Sequence, residues 1–402
     1  MGRPVNPDIW ATTTNYPAGA EDWAGTPTKV LPVVTFLTPG DNLPADYVNY
    51  LLNRRDNELK AQLDYLGQLP AKNWVYESAS AVGVAGPFSE PQCTRPFWND
   101  YEKCWLVGSY YDPGGGSVGE VFKSYDDGRT WQLFGSVALA ESPSALLQVV
   151  AVRPSNGRAV ILTEANTYRS DGTTWTGAAA PWSSSVRFTE CFYLQGFFMA
   201  PGGQPGTGKY FANSSDGASW GNASFTGSSI TAGAFVADVN SAGTLMVAFP
   251  RAGVDSGPYA TWDGTLSTGV PLITGRTSPV TAATGLAWDP VRAVFVLTTT
   301  VSGDTIIRTS PDGITWTTGN TMADVEFLDL KCLGALWVAS GIIGGFRVVI
   351  WTADAGVTFG YRRVDKDFDI LYLGSNGDQL MGQLVDGTDN LAKTRATLSV
   401  GL

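Results

Sequence analysis

From about residue 74 onward, the chain is a succession of short apolar runs broken every few residues by Gly, Pro, Asn or Asp. The stretch from Glu190 to Ser228 shows the unit: "ECFYLQG", "FFMAPG" and "KYFANSSDGASW" are separated by breakers, and "ASFTGS" follows as a fourth short run. Runs of this length, rich in aromatic and β-branched residues, predict strands, and the breakers predict tight turns. The same grammar recurs in "ALLQVVAV", "AVILTEA", "NTYRSDGTTW" and again in "GLAWDP", "AVFVLTTT", "TIIRTSPDGITW".

The third run of each unit ends in a turn that comes back at a near-fixed period. It reads "SYDDGRTW" around Asp126, then "YRSDGTTW" (Asp171), "NSSDGASW" (Asp216), "ATWDGTLS" (Asp263), "TSPDGITW" (Asp312) and "TADAGVTF" (Asp354). Successive aspartates lie 45, 45, 47, 49 and 42 positions apart. A period of this size marks a repeat architecture, and four strands in each repeat is the make-up of a propeller blade. Repetition also decides what the turn does. Asp accepts N–H bonds from residues just ahead of it, Gly takes up φ > 0, and the hydroxyls bond the loop's own backbone. Six copies of a catalytic site are implausible, whereas six copies of a strand connector are expected.

These turns resemble the Asp box, or BNR repeat, S/T-x-D-x-G-x-T-W, of sialidases and many other propellers. Ser124, Asp126, Gly128, Thr130 and Trp131 fit it at full length, as does Thr352 to Phe359, with Asp354, Gly356 and Phe359 in place of the closing Trp. The copies with Asp216, Gly217, Trp220 and with Asp312, Gly313, Trp316 are one residue shorter. The copy with Asp171, Gly172, Trp175 carries Arg169 at the usual hydroxyl position, and the one with Asp263, Gly264 lacks the terminal Trp. The resemblance implies an all-β propeller of four-stranded antiparallel blades and assigns these residues structural roles.

After Asp354 three more runs remain, "DILYLGS", "DQLMGQLV" and "NLAKTRATL", without a box. With "NWVYESAS", Asn73 to Ser80, as an outer strand they make a seventh blade that joins the two ends of the chain. Seven blades is the preferred count and six the runner-up.

Residues 1–43 differ: six prolines punctuate them, and Trp10, Tyr16 and Trp23 are spaced along them. Such an arm has little to fold around but suits docking onto a partner. Residues 44–72 predict a helix of about six turns, capped by Asp41 or Asn42, with Pro44 in its first turn, apolar Val48, Leu52, Leu59, Leu63 and Leu66, and Gly67 as its stop. The organisation is therefore an arm (1–43), a helix and linker (44–72) and a propeller (73–402). The arm and helix resemble the amino-terminal segments of bacteriophage tail and virion proteins. That resemblance implies other virion proteins as partners of residues 1–43, a structural or host-surface role in contact with glycan or protein, and assembly in the host cytoplasm. "MGRPVNPDIW" offers no apolar export segment. A homo-oligomer is compatible with this reading.

Composition narrows the chemistry. A net charge of −11 argues against nucleic acid and anionic membrane as partners, and no run approaches the length of a membrane span. The absence of histidine excludes imidazole bases, relays and ligands. The cysteines Cys93, Cys104, Cys191 and Cys332 lack metal or redox spacing and read as free thiols, buried in apolar surroundings. No cofactor or metal is expected; the Gly-rich loop between Asp112 and Glu120 could offer oxygens to Ca²⁺ but is explained as a hairpin.

A sialidase-like hydrolase, implied by the box resemblance, is the alternative function. It calls for three clustered arginines, and the chain offers Arg95 in "CTRPFWND", where the aromatic follows rather than precedes the arginine, and scattered Arg153, Arg251, Arg292 and Arg362. A broader glycosidase needs only two carboxylates. Its candidates on or near inner strands are Glu164, Glu190, Asp238, Asp289 and Glu326. No catalytic residue is assigned, and a binding module is preferred.

Overall fold

The computed structural model describes residues 75–78, 92–111, 118–126, 131–138, 149–163, 166–172, 174–182, 186–204, 208–227, 235–251, 259–280, 283–363, 368–377, 379–386 and 396–401. The arm, with Trp10, Tyr16 and Trp23, the expected helix at 44–72, Gly128, Thr130 and Glu164 lie outside the described residues. Among the described residues every regular element is a strand, and no helix is long and apolar enough to cross a membrane.

These strands form seven sheets that follow one another along the chain. The second is representative: Val149–Val152, Ala159–Leu162, Asn166–Ser170 and Trp175–Ala179 pair antiparallel, each with the next. The fifth (Gly285–Asp289, Val294–Val301, Asp304–Ser310, Thr317–Met322) and the sixth (Val325–Leu333, Leu336–Ile343, Phe346–Thr352, Gly360–Arg363) repeat this order. The seventh contains Phe368–Ser375, Gln379–Asp386 and Ala396–Gly401, and its fourth strand is Val75–Ser78, with Val75 opposite Ser399 and Ser78 opposite Ala396.

Two units depart from the sequence expectation. In the third repeat the fourth strand is Gly221–Asn222, and Ser224–Gly227, expected as that strand, instead pairs in parallel with Val270–Arg276 of the following sheet. It thereby covers an edge whose backbone groups would otherwise lack partners. In the fourth repeat, which has no closing Trp, Trp262 stands just before the turn aspartate. Its ring is buried and its Nε1–H donates to the Thr265 carbonyl at 2.9 Å.

Both faces of the sheets are apolar, because each sheet packs on the one before and the one after it. In the strand Cys104–Tyr111, Cys104 and Leu106 pack with Val150, Val152 and Ile161 of the second sheet, while Trp105 and Val107 share a cluster with Phe122, Trp131 and Met381 of the seventh. In the second sheet Val150 faces the first sheet while its neighbour Ala151 faces Phe198 and Ala200 of the third. The period of two along each strand thus feeds two cores at once.

Candidate functional site

The repeated turns are built by their aspartates. Asp312 accepts from the backbone N–H groups of Ile314 and Thr315, both at 2.8 Å, and from the Ser310 hydroxyl at 2.9 Å. Asp216 does the same with Ala218, Ser219 and Ser214, and Asp354 with Thr358 and Thr352. Asp171 and Asp263 take the N–H and hydroxyl of Thr174 and Thr265, and Asp126 the Ser124 hydroxyl. Gly172, Gly217, Gly264, Gly313 and Gly356 all have positive φ, which the tight turn requires. Backbone donors hold the Asp312 carboxyl at about 2, below its ordinary value. Trp175 packs edge-on against Phe134 of the preceding sheet, and Trp316 against Phe249 and Tyr259 of its preceding sheet. Trp220 lies against Trp182 and Phe198, and Phe359 is exposed.

A different set of residues converges on one cavity of about 510 Å³. Its lining comes from the first strands, and the segments leading into and out of them, of every repeat but the second, and includes Arg95, Glu190, Asp238 and Lys331 with Trp98 and Trp288. Arg95 forms ion pairs with Glu190 of the third sheet region and, at 3.1 Å, with Asp329 of the sixth. Lys331 lies 3.5 Å from the same Glu190 oxygen. These three pairs connect sheets that are not neighbours in the chain. All four side chains are about nine-tenths buried or more. Asp329 also accepts the Leu373 N–H at 2.8 Å, and Asp238 accepts the N–H groups of Val239 and Trp288, both at 2.8 Å.

Burial pushes the Glu190 carboxyl above its ordinary value, with Arg95 and Lys331 opposing. Burial alone would lower Arg95, but Asp329 and Glu190 outweigh it and raise its pKa; Glu190 does likewise for Lys331. The cations are thus held charged at neutral pH.

Backbone irregularity aims two of the strands. The register of Val325–Leu333 shifts between Phe327 and Asp329, and that of Phe368–Ser375 between Ile370 and Tyr372. Each bulge re-orients the side chains beyond it. Arg95 and Arg251 both stack on Tyr372, at 5.1 and 4.9 Å, and Arg251 donates to the Leu328 carbonyl at the first bulge.

The other sequence candidates go elsewhere. Asp289 is fully buried and ties its own turn, accepting from Val291 N, Arg292 N, the Arg292 guanidinium and Trp337 Nε1. Arg292 and Arg153 each reach the turn of the next repeat, at the Ala353 and Ser215 carbonyls. Glu326 is partly exposed on its strand and does not line the cavity. The Arg362 side chain lies outside the described residues. Glu120 is buried, with Oε2 lacking a hydrogen-bond partner, and burial raises its pKa. Cys104, Cys191 and Cys332 are buried free thiols, with burial pushing Cys104 up to about 11 and the other two above their ordinary value. Among the described residues no three acidic or thiol side chains group as metal ligands.

Sequence reasoning missed Asp329, Lys331 and Tyr372. The one local signal is three charges, Glu326, Asp329 and Lys331, among the apolar residues of the strand "VEFLDLKCL".

No known protein family matches the chain, and no curated protein does. Solved structures do. One, described as "YCF48 bound to D1 peptide", has a TM-score of 0.54 at 13% identity over 81% of this chain and 95% of that one. The Cps50 (Swd1) β-propeller domain of Myceliophteria thermophila has a TM-score of 0.51 at 7% identity, covering 82% of this chain and all of that one. At such identities the likeness concerns the fold alone: the chain is a β-propeller.

Proposed function

We propose that this chain is a non-enzymatic recognition module of a bacteriophage virion. In this reading residues 1–43 attach to other virion proteins, and a closed, seven-bladed Asp-box propeller contacts host-surface glycan. Closure is supported by the Val75–Ser399 register and by Trp131 and Met381 sharing one buried cluster. The hydrogen bonds that each box aspartate accepts within its own turn support the structural role of the boxes.

The observation that carries recognition is the cavity itself: partly exposed Trp98 and Trp288 stand beside a floor whose charges are fixed by internal pairs. Aromatic walls with a few fixed polar groups suit a sugar, and a fixed floor needs no reorganisation on binding. A hydrolase would need a free carboxylate pair, yet Glu190 and Asp329 are both bonded to Arg95. The elevated Glu190 pKa is the one feature that favours the sialidase-like alternative.

Limited proteolysis of the full chain, alone and in assembled particles, tests the anchoring half. Cleavage within 1–43 is expected in the isolated protein and protection in the particle, and a chain lacking the arm should not incorporate. Incorporation without the arm would overturn that half. Binding without turnover on a glycan panel is expected for the propeller, and release of sugar would favour the hydrolase.

A further inference from the structure

Trp98 and Trp288 hold corresponding places in two repeats. Each is the second-last residue of the first strand of its sheet, Phe97–Asn99 or Gly285–Asp289, and stands directly opposite an aromatic residue of the next strand, Trp105 or Phe295. The ring centroids of the two pairs lie 5.3 and 4.8 Å apart, with the planes at 67° and 64°. The residue that follows each tryptophan, Asn99 or Asp289, accepts two backbone N–H groups of the turn beyond it. Trp288 Nε1–H also donates to the Ser241 hydroxyl of the preceding repeat at 2.6 Å. The indoles are thus positioned before any ligand arrives, yet both are partly exposed and line the cavity.

The charges of the lining balance. Arg95 and Lys331 stand with Glu190 and Asp238, and Asp100 is answered by Lys103. Glu190 holds both cations, while Asp238 accepts the Val239 and Trp288 N–H groups and its charge helps to keep Lys331 protonated. Outside the lining, Asp329 and Arg251 add one charge of each sign. An entering carboxylate or ammonium would therefore lose water without gaining a counter-ion. A hydroxyl brings no charge and both donates and accepts, which suits a wall carrying groups of both kinds.

We infer that the cavity takes an uncharged pyranose, its C–H face stacked on the Trp288 indole and its hydroxyls toward the paired charges of the floor. The inference rests on the glycan-recognition reading and names the class of sugar. The negative face of an aromatic ring attracts weakly positive C–H groups. A volume of about 510 Å³ accommodates one or two sugar rings, and Ser375 and Asn376 add polar groups to the lining. A flat apolar molecule would cover the floor without bonding it.

Ligand-observed NMR titration of the full chain at mildly acidic pH tests this with two matched sets of methyl glycosides: glucose, glucosamine and glucuronate, and galactose, galactosamine and galacturonate. At least one neutral sugar should bind, and its charged analogues should bind more weakly by about tenfold or more. Trp288→Ala should weaken the neutral sugar by about tenfold, because the stacking face is gone. Asp238→Asn removes one negative charge from a balanced lining, so the acid should gain on the neutral sugar by a similar factor, whereas a merely structural loss would weaken both alike. If either variant fails to fold, the comparison within each set on the unaltered protein decides alone. A charged sugar that binds as well as its neutral counterpart, unchanged binding by Trp288→Ala, or an unchanged ratio of acid to neutral sugar in Asp238→Asn would overturn the inference and leave glycan recognition in place. Binding of no sugar from either set would overturn both.

Discussion

The Arg95 guanidinium bonds the Asp329 carboxylate at 3.1 Å, although 234 residues separate the two in the chain. Through its second nitrogen Arg95 also bonds Glu190, so one side chain from the first repeat ties the third and sixth together. Arg95→Ala would leave two buried carboxylates without that cation, and loss of one partner from a buried pair costs about 3–5 kcal/mol. Urea unfolding should show a loss of this size, and adding Glu190→Gln should recover part of it. An unchanged midpoint would refute the cross-linking role.

Asp289 and Asp312 both cap turns, but only Asp289 is fully buried. Asp289→Ala strands the Trp337 Nε1–H donor inside the protein and removes the acceptor of two backbone N–H groups, and should cost roughly 3 kcal/mol. Asp312→Ala exposes its donors to water and should cost about 1 kcal/mol, as loss of a capping side chain does. Equal losses in thermal unfolding would argue against burial as the deciding factor. Neither change should alter ligand binding in the folded protein.

The turn carboxylates set the acid limb of stability. Backbone donors depress Asp312 from 3.8 to about 2, and Asp216, Asp263, Asp289 and Asp354 are depressed as well. A folded pKa below the unfolded one contributes stability above the unfolded value, lost as pH falls through the folded one. The urea midpoint should therefore fall between about pH 4 and pH 2, and less steeply for Asp312→Asn. Glu190 and Glu120, raised by burial, act in the opposite sense, adding stability as they protonate. Superimposable acid profiles for the two proteins would remove Asp312 from the account.

Val75–Ser78 completes the sheet that ends the chain. Deleting residues 1–80 should lower the melting temperature well below that of a chain lacking 1–70, since only the longer deletion removes the Val75–Ser399 pairing. Equal melting temperatures would count against ring closure.

Gly374 approaches the backbone of the first repeat so closely that a Cβ would stand 2.1 Å from the Pro96 carbonyl oxygen. Gly374→Ala should thus cost about 1–3 kcal/mol through forced separation. It should also weaken glycan binding, since Pro96 and Gly374 both line the cavity. A variant of full stability would mean the two segments can part freely.

The sequence alone determined the all-β class and the four-strand repeat, because both rest on local pattern: short apolar, β-branched runs such as Val294–Val301 set off by turn residues, and a turn whose Asp bonds residues two to four positions ahead. Local chemistry of this kind is written within a dozen residues. It also drew attention to Arg95, Glu190, Asp238 and Arg251, though without a reason to join them. Tertiary structure decided the rest. Asp289, a catalytic candidate by position, became a buried turn cap because Trp337 of the next repeat reaches it. Ser224–Gly227 left its expected sheet because a neighbouring edge offered it partners. Asp329, Lys331 and Tyr372 entered the site through two bulges and the stacking of distant repeats. Which charged residues of a repeat protein meet depends on how the sheets close upon one another, and no spacing along the chain records that.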